Sequence, residues 1–224
     1  GYDVTIVMPA SKSPERRRIM RAYGADIELV DGDISDARTR ADEIEAERGA
    51  VQLHQFENPA NPRAHYETTA AELLDQVGDR TVDALVAGVG TGGTLTGVGR
   101  RLREAFPDVR IDAVEPAESA VLAGEEPTGD TFQGMGPGFV SPNLDVELID
   151  ELHAVTVEEA EAECRRLARE EGILVGQSSG ASNLAAKAVA EDLREEGRYA
   201  GDEPLVVTVF WDSGERYMST GMFD

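Results

Sequence analysis

The feature that most constrains this chain is the run Gly88-Val89-Gly90-Thr91-Gly92-Gly93-Thr94. An apolar, β-branched segment (Val82 to Ala87) leads into it, and a helical pattern (Leu95 to Phe106) leads out. Small residues let a backbone close tightly around an anion. The N–H groups at a helix start then supply donors and a favourable dipole. Thr91 and Thr94 add two hydroxyls. A strand, such a turn and a helix predict an anion-binding loop at the carboxyl end of a strand in an α/β sheet, where these folds bind ligands.

The rest of the chain repeats the alternation. Extended runs are predicted at 4–8, 27–30, 50–54, 82–87, 111–115 and 205–210, with a short extended piece at 173–175. Ser13 reads as the cap of a helix that opens on Pro14 and closes at Gly24. Further helices are predicted at 36–48, 65–77, 95–106, 157–171 and 181–195, with a Gly- and Pro-rich loop at 123–143. The fold class is therefore α/β, with an open, mostly parallel sheet and helices on both faces. The unusual residues fall at strand ends: Gln55, the glycine loop, Glu115-Pro116 and Gly176 to Gly180.

Charge narrows the partners. The chain has 44 acidic and 21 basic residues, a formal net charge of −23, and only Lys12 and Lys187 are lysines. Nucleic-acid backbones need Lys/Arg patches, so DNA and RNA are excluded as partners. Arginine in place of lysine on an acidic surface predicts adaptation to high intracellular salt, which screens self-repulsion. Cys164 is the sole cysteine, so no internal disulfide forms and a cytoplasmic home is expected. Its charged helical setting predicts a packing residue, not a nucleophile. No apolar run reaches membrane-spanning length, and no metal site is predicted.

The loop admits two ligand chemistries. Gly88, Gly90 and Gly93 satisfy a dinucleotide pattern, and Glu115 follows where a ribose-binding acid would stand. That reading makes the chain an NAD(P)-binding oxidoreductase. Against it, three predicted strands precede a motif that normally opens its domain, and Thr94 makes the turn hydroxyl-rich, suited to a terminal monophosphate.

Several segments, in order, resemble the fold-type II pyridoxal-phosphate enzymes of the cysteine synthase (O-acetylserine sulfhydrylase) family, whose fold is tryptophan synthase β-like. They are Ser13-Pro14-Glu15-Arg16-Arg17, Gln55 to Pro62 with His65 to Thr69, Gly88 to Gly97, Gln133 to Phe139, Gly176 to Ala181, and Gly214 to Thr220. The resemblance implies that Gly90, Thr91, Gly92, Gly93 and Thr94 hold the phosphate of pyridoxal 5'-phosphate (PLP). It implies that Ser178 bonds the pyridine nitrogen, with capping of the 181–195 helix as that hydroxyl's competing role and Ser179 able to cap instead. Gln55 would face the substrate carboxylate, and Gly134 would let the backbone approach the amino acid. Asp212 and Ser213 stand where the family has a cofactor-side polar residue. Asn58 and Asn61 are expected to shape their Pro-rich turn, and His65 to be structural.

The implied reaction eliminates acetate from O-acetylserine and puts sulfide in its place, using small-molecule substrates in a homodimer. Cystathionine β-synthase, O-phosphoserine sulfhydrylase and a non-catalytic paralogue are the alternatives. The resemblance places residues 1–60 in the smaller substrate-side domain and 61–224 in the larger cofactor-binding domain. No position matches the family's Schiff-base lysine, so no catalytic residue is assigned. The expectation is an N-terminally truncated member lacking about 80–90 residues.

Overall fold

The computed structural model describes residues 1–128 and 132–224. Two parallel sheets organise it. The smaller pairs β1 (Thr5–Pro9) with β2 (Asp26–Val30), joined by α1 (Pro14–Ala22), and α2 (Ile34–Arg48) packs on it. The larger has the order β5-β4-β3-β6, from β3 (Ala84–Gly88), β4 (Arg110–Pro116), β5 (Glu151–Val155) and β6 (Val206–Thr208), with every pairing parallel. Around it run α3 (Ala60–Ala64), a π-helical turn at His65–Thr69, α4 (Ala70–Val77), α5 (Gly93–Ala105), α6 (Val157–Arg166) and α7 (Gln177–Glu196). The parallel α/β class predicted from the sequence is thus present.

β3 is central, and its side chains alternate between two cores, as the two-residue strand period requires. Leu85 and Ala87 pack with Leu95, Val98, Leu102 and Ile111 on the α5 side. Ala84 and Val86 pack with Ala160, Ala181, Ala185 and Val189 on the α6/α7 side. Burial on both faces explains why this strand reads as an unbroken apolar run.

Local chemistry corrects several sequence expectations. Residues 50–54 form no strand: Val51 and Leu53 are exposed, no described strand pairs with them, and His54 takes a left-handed φ of 49°. The edge strand β5 went unpredicted because its Glu-Leu-His-Ala-Val sequence carries polar groups that pair within the sheet. His153 Nε2 lies 2.7 Å from the buried Asp112, which also accepts from Arg110. Ser13 precedes α1, but its hydroxyl donates to Arg216 O at 2.7 Å and caps nothing. Helix α7 starts at Gln177, four residues earlier than predicted, with Gly176 as its N-cap. Ser178 and Ser179 therefore lie inside its first turn, and neither hydroxyl caps the helix. Among the described residues, no helix is long and apolar enough to cross a membrane.

Helices α6 and α7 touch at Gly180. A Cβ there would stand 2.5 Å from Cys164 Sγ and closer still to Ala160 O. Gly180→Ala is expected to lower stability by about 1–3 kcal/mol, the ordinary cost of overpacking. Urea unfolding of the two proteins checks this, and an unchanged midpoint refutes it.

Candidate active site

The carboxyl end of β3 is enclosed by backbone. Gly88 N donates to Ser182 Oγ at 3.0 Å, tying the strand end to α7. Val89 N donates to Val114 O, and Val89 O accepts from Gly136 N, which draws the 132–138 loop across the strand end. A Cβ at Gly90 would sit 3.0 Å from Gly134 O. Gly134 itself has φ 102°, and a Cβ there would sit 3.2 Å from Ser178 Oγ. Gly90, Gly134 and Ser178 therefore converge, as three of the predicted site positions.

The turn then enters α5. Gly92 is the N-cap in the left-handed region (φ 77°), packed on Leu144. The first N–H groups of any helix lack intrahelical acceptors, so this turn presents donors. The Gly93 N–H is spent within the loop, donating to Thr91 Oγ1 at 3.3 Å. Thr91 Oγ1 also accepts from Asn61 Nδ2 at 2.9 Å. Thr94 Oγ1 accepts from Trp211 Nε1 at 3.3 Å and lies 3.2 Å from His65 Nε2. His65 Nδ1 lies 3.1 Å from Thr69 Oγ1 across the π-helical turn.

Two of these supporting residues match in spacing the glycines that they face. Asn61 and His65 are four apart, as are Gly93 and Gly97, so each pair shares one helix face. A Cβ on Gly93 would strike the Asn61 side chain, and one on Gly97 would lie 2.7 Å from His65 Cβ. Asn61 also donates to Gln55 O at 2.8 Å, so it does more than shape its turn. Trp211 carried no local signal, because it arrives from the far end of the chain.

The remaining predicted positions sort by what they touch. Ser178 is 4% exposed, yet no hydrogen bond engages its hydroxyl among the described residues. Gln55 is exposed; its carbonyl accepts from Asn61 and Asn143, and its side chain lines a cavity of about 100 Å³ with Val7, Arg38 and Phe56. Asp212 accepts from Arg16 and Tyr217 through Oδ2, while its buried Oδ1 has no partner. Glu115 does not serve a ribose. It is 3% exposed and accepts from Leu122 N and Ala123 N, while burial raises its carboxyl above the usual range. That removes the acid on which the dinucleotide reading leaned. Lys12 Nζ reaches Phe132 O at 3.5 Å, and Lys187 pairs with Glu163.

The site fits a phosphate ester joined to a pyridine ring. Glycines that tolerate no Cβ form the cradle, a helix start supplies amides, and the unengaged Ser178 hydroxyl stands beside Gly134.

Comparison with known proteins gives the family. Residues 1–210 match the model of the family described as pyridoxal-phosphate dependent enzyme, and the chain belongs to that family. It is 44% identical to a cysteine synthase of Staphylococcus aureus, spanning 100% of this chain and 70% of the relative. It is 42% identical to O-ureido-L-serine synthase of Streptomyces lavendulae, covering 68% of that protein. A crystal structure of O-ureido-L-serine synthase superposes with a TM-score of 0.91 at 41% identity, over 100% of this chain and 69% of that one. Isoform 3 of O-acetylserine sulfhydrylase from Entamoeba histolytica gives 0.87 at 37% identity, over 100% and 65%. The fold is that of the fold-type II PLP enzymes, and the family's cofactor is PLP.

Cys164 lies beneath this region, fully buried, with Sγ 3.3 Å from Gly176 O. Burial pushes its thiol up to about 12. A thiol reagent at pH 8 is expected to leave it unmodified in the folded protein and to react fully in denaturant. Rapid labelling of the native state would refute the packing role.

Proposed function

We propose that this chain carries the cofactor-binding machinery of a PLP-dependent cysteine synthase, which replaces the acetoxy group of O-acetylserine with sulfide and releases acetate. The convergence of Gly90, Gly134 and the unengaged Ser178 hydroxyl at the end of β3 carries this reading. Bound PLP supplies an electron sink for the substrate's α-carbon.

The chain's own residues then have separate tasks. The Gly90-to-Thr94 turn holds the phosphate through helix-start amides and the two threonine hydroxyls. Ser178 engages the ring nitrogen with a neutral group, which does not fix a proton there as a carboxylate would. The ring is thereby kept a moderate sink, suited to β-elimination. Gly134 leaves its face of the site open to an amino acid, and Gln55 faces the substrate carboxylate. The similarity to O-ureido-L-serine synthase supports a second nucleophile in place of sulfide, an N-hydroxyurea-type oxygen whose addition would leave an O-ureido group on the serine β-carbon. The division into a substrate-side part (1–60) and a cofactor-binding part (61–224) is supported by the separation of the two sheets. Salt adaptation is supported by the −23 charge and a cytoplasmic home by the lone, buried Cys164. A homodimer is supported by family resemblance alone.

Equilibrium dialysis tests the cofactor. PLP is expected to bind saturably, NADH not at all, and Gly92→Ala to weaken PLP at least about tenfold, because φ 77° and Leu144 both reject a Cβ. No PLP binding in dilute or molar salt overturns the proposal. Since Lys12 and Lys187 are engaged elsewhere, PLP on this chain should remain dialysable after borohydride treatment. O-Acetylserine should then perturb the Gln55 and Gly134 amide resonances of the loaded chain, and an unchanged spectrum counts against their substrate roles.

A further inference from the structure

Both threonines of the turn are held by donors from outside it. A hydroxyl has one proton to give and two lone pairs to receive with. Thr91 Oγ1 receives from Asn61 Nδ2 and Gly93 N, so both acceptor positions are filled. Its proton is left to point elsewhere. Thr94 Oγ1 receives from Trp211 Nε1, and its second neighbour, His65 Nε2, can either receive or give. The opposite ring nitrogen faces Thr69 Oγ1, which can likewise give or receive.

We propose that Asn61, Trp211 and His65 are positioning residues that turn the Thr91 and Thr94 hydroxyl protons onto a bound phosphate, and that His65 changes tautomer when the phosphate arrives. This rests on the PLP reading of the turn. Before the anion binds, the Thr94 hydroxyl donates to His65 Nε2, and His65 Nδ1–H donates to Thr69. An anion draws the Thr94 proton to itself. Thr94 Oγ1 is then open to a donor, and the imidazole supplies one by carrying its proton on Nε2, while Thr69 turns its own proton to Nδ1. One ring proton changes place through solvent, and no net charge is gained. Burial lowers the imidazole's proton affinity, which keeps the ring neutral and both tautomers accessible near neutral pH.

The π-helical turn makes the arrangement possible. His65 and Thr69 are four apart and lie in one widened turn, the kind of irregularity frequent at functional sites. Gly97 lets α5 come close enough for the ring to reach Thr94.

The chain has three histidines, so ring nitrogens can be assigned by long-range proton–nitrogen spectra. The protein is titrated with PLP while the Gly92–Leu95 amides and the His65 ring are followed together. The expected result is a shift of those amides with His65 Nε2 passing from unprotonated to protonated. Amide shifts without a change at His65 overturn this inference and leave the PLP reading standing. No amide shift overturns both. His65→Phe should weaken PLP about five- to tenfold, the size of one hydrogen bond between neutral groups, and His65→Gln, which keeps a donor, should recover most of it. Equal losses in the two variants, with unchanged thermal midpoints, would assign His65 to packing alone and refute its donor role.

Discussion

The structure depends on backbone coming into contact with backbone around the first two turns of α5. Gly90 meets the 132–138 loop, Gly92 meets Leu144, Gly93 meets Asn61, and Gly97 meets Pro62 and His65. Together these contacts bring three segments of chain, 61–66, 132–138 and the one that carries Leu144, to the same helix start. Without a Cβ at these positions, residues far apart in sequence can support one small group of donors. The cost is the conformational entropy of glycine. It is offset by Leu95, Val98 and Leu102, which bury the opposite stripe of the helix.

A chain of net charge −23 holds its proposed anion site without a lysine or arginine in the turn. The donors are amides and hydroxyls, whose partial charges are fixed by the helix and the hydrogen-bond network. Most arginines are occupied with carboxylates elsewhere. Arg40 pairs with Glu28 and Glu43, and Arg166 with Glu163, Glu170 and Glu171. The exposed pairs among these, such as Arg40–Glu43 and Arg166–Glu170, contribute little individually and are weakened by salt. Dipolar donors in a partly buried turn are much less sensitive to screening. Surface charge and site chemistry are thus separable in this molecule, so a strongly acidic composition is compatible with anion recognition.

What was legible in the sequence follows from the range of the forces involved. The Gly88–Thr94 turn, the apolar run of β3 and the helix α2 are set by neighbours in sequence, and each was readable. The failures lie where a distant segment decides. Val51 and Leu53 have strand-like residues, but a strand exists only with a partner. β5 has a poor strand sequence, yet Asp112 and Arg110 on β4 give His153 and Glu151 their partners. Glu115 satisfied a spacing rule, while its carboxylate is consumed by the amides of Leu122 and Ala123. For the site, the backbone of the turn was foreseeable. The side chains that orient Thr91 and Thr94 were not, because Asn61, His65 and Trp211 acquire meaning only from what they face.

The same logic explains the junction of Arg16, Gln133, Asp212 and Tyr217. The Arg16 guanidinium donates to Gln133 Oε1, Asp212 Oδ2 and Tyr217 Oη, joining α1 to the loop beside Gly134 and to the C-terminal segment. Burial and the Asp212 carboxylate push the Tyr217 phenol up, so it stays neutral and donates to Asp212 Oδ2 at 3.0 Å. Gln133 N in turn donates to Gln177 Oε1, the first residue of α7 and the neighbour of Ser178. A continuous polar path therefore runs from the smaller sheet's helix to Gln177, the residue before the Ser178 proposed to bond the ring nitrogen. Multidentate arginine pairing gives such a path geometric definition as well as energy. Shifting α1 against the larger sheet would break donors at Gln133 and Asp212 together. The position of Ser178 is thus tied to the seating of a helix more than 150 residues earlier in the chain.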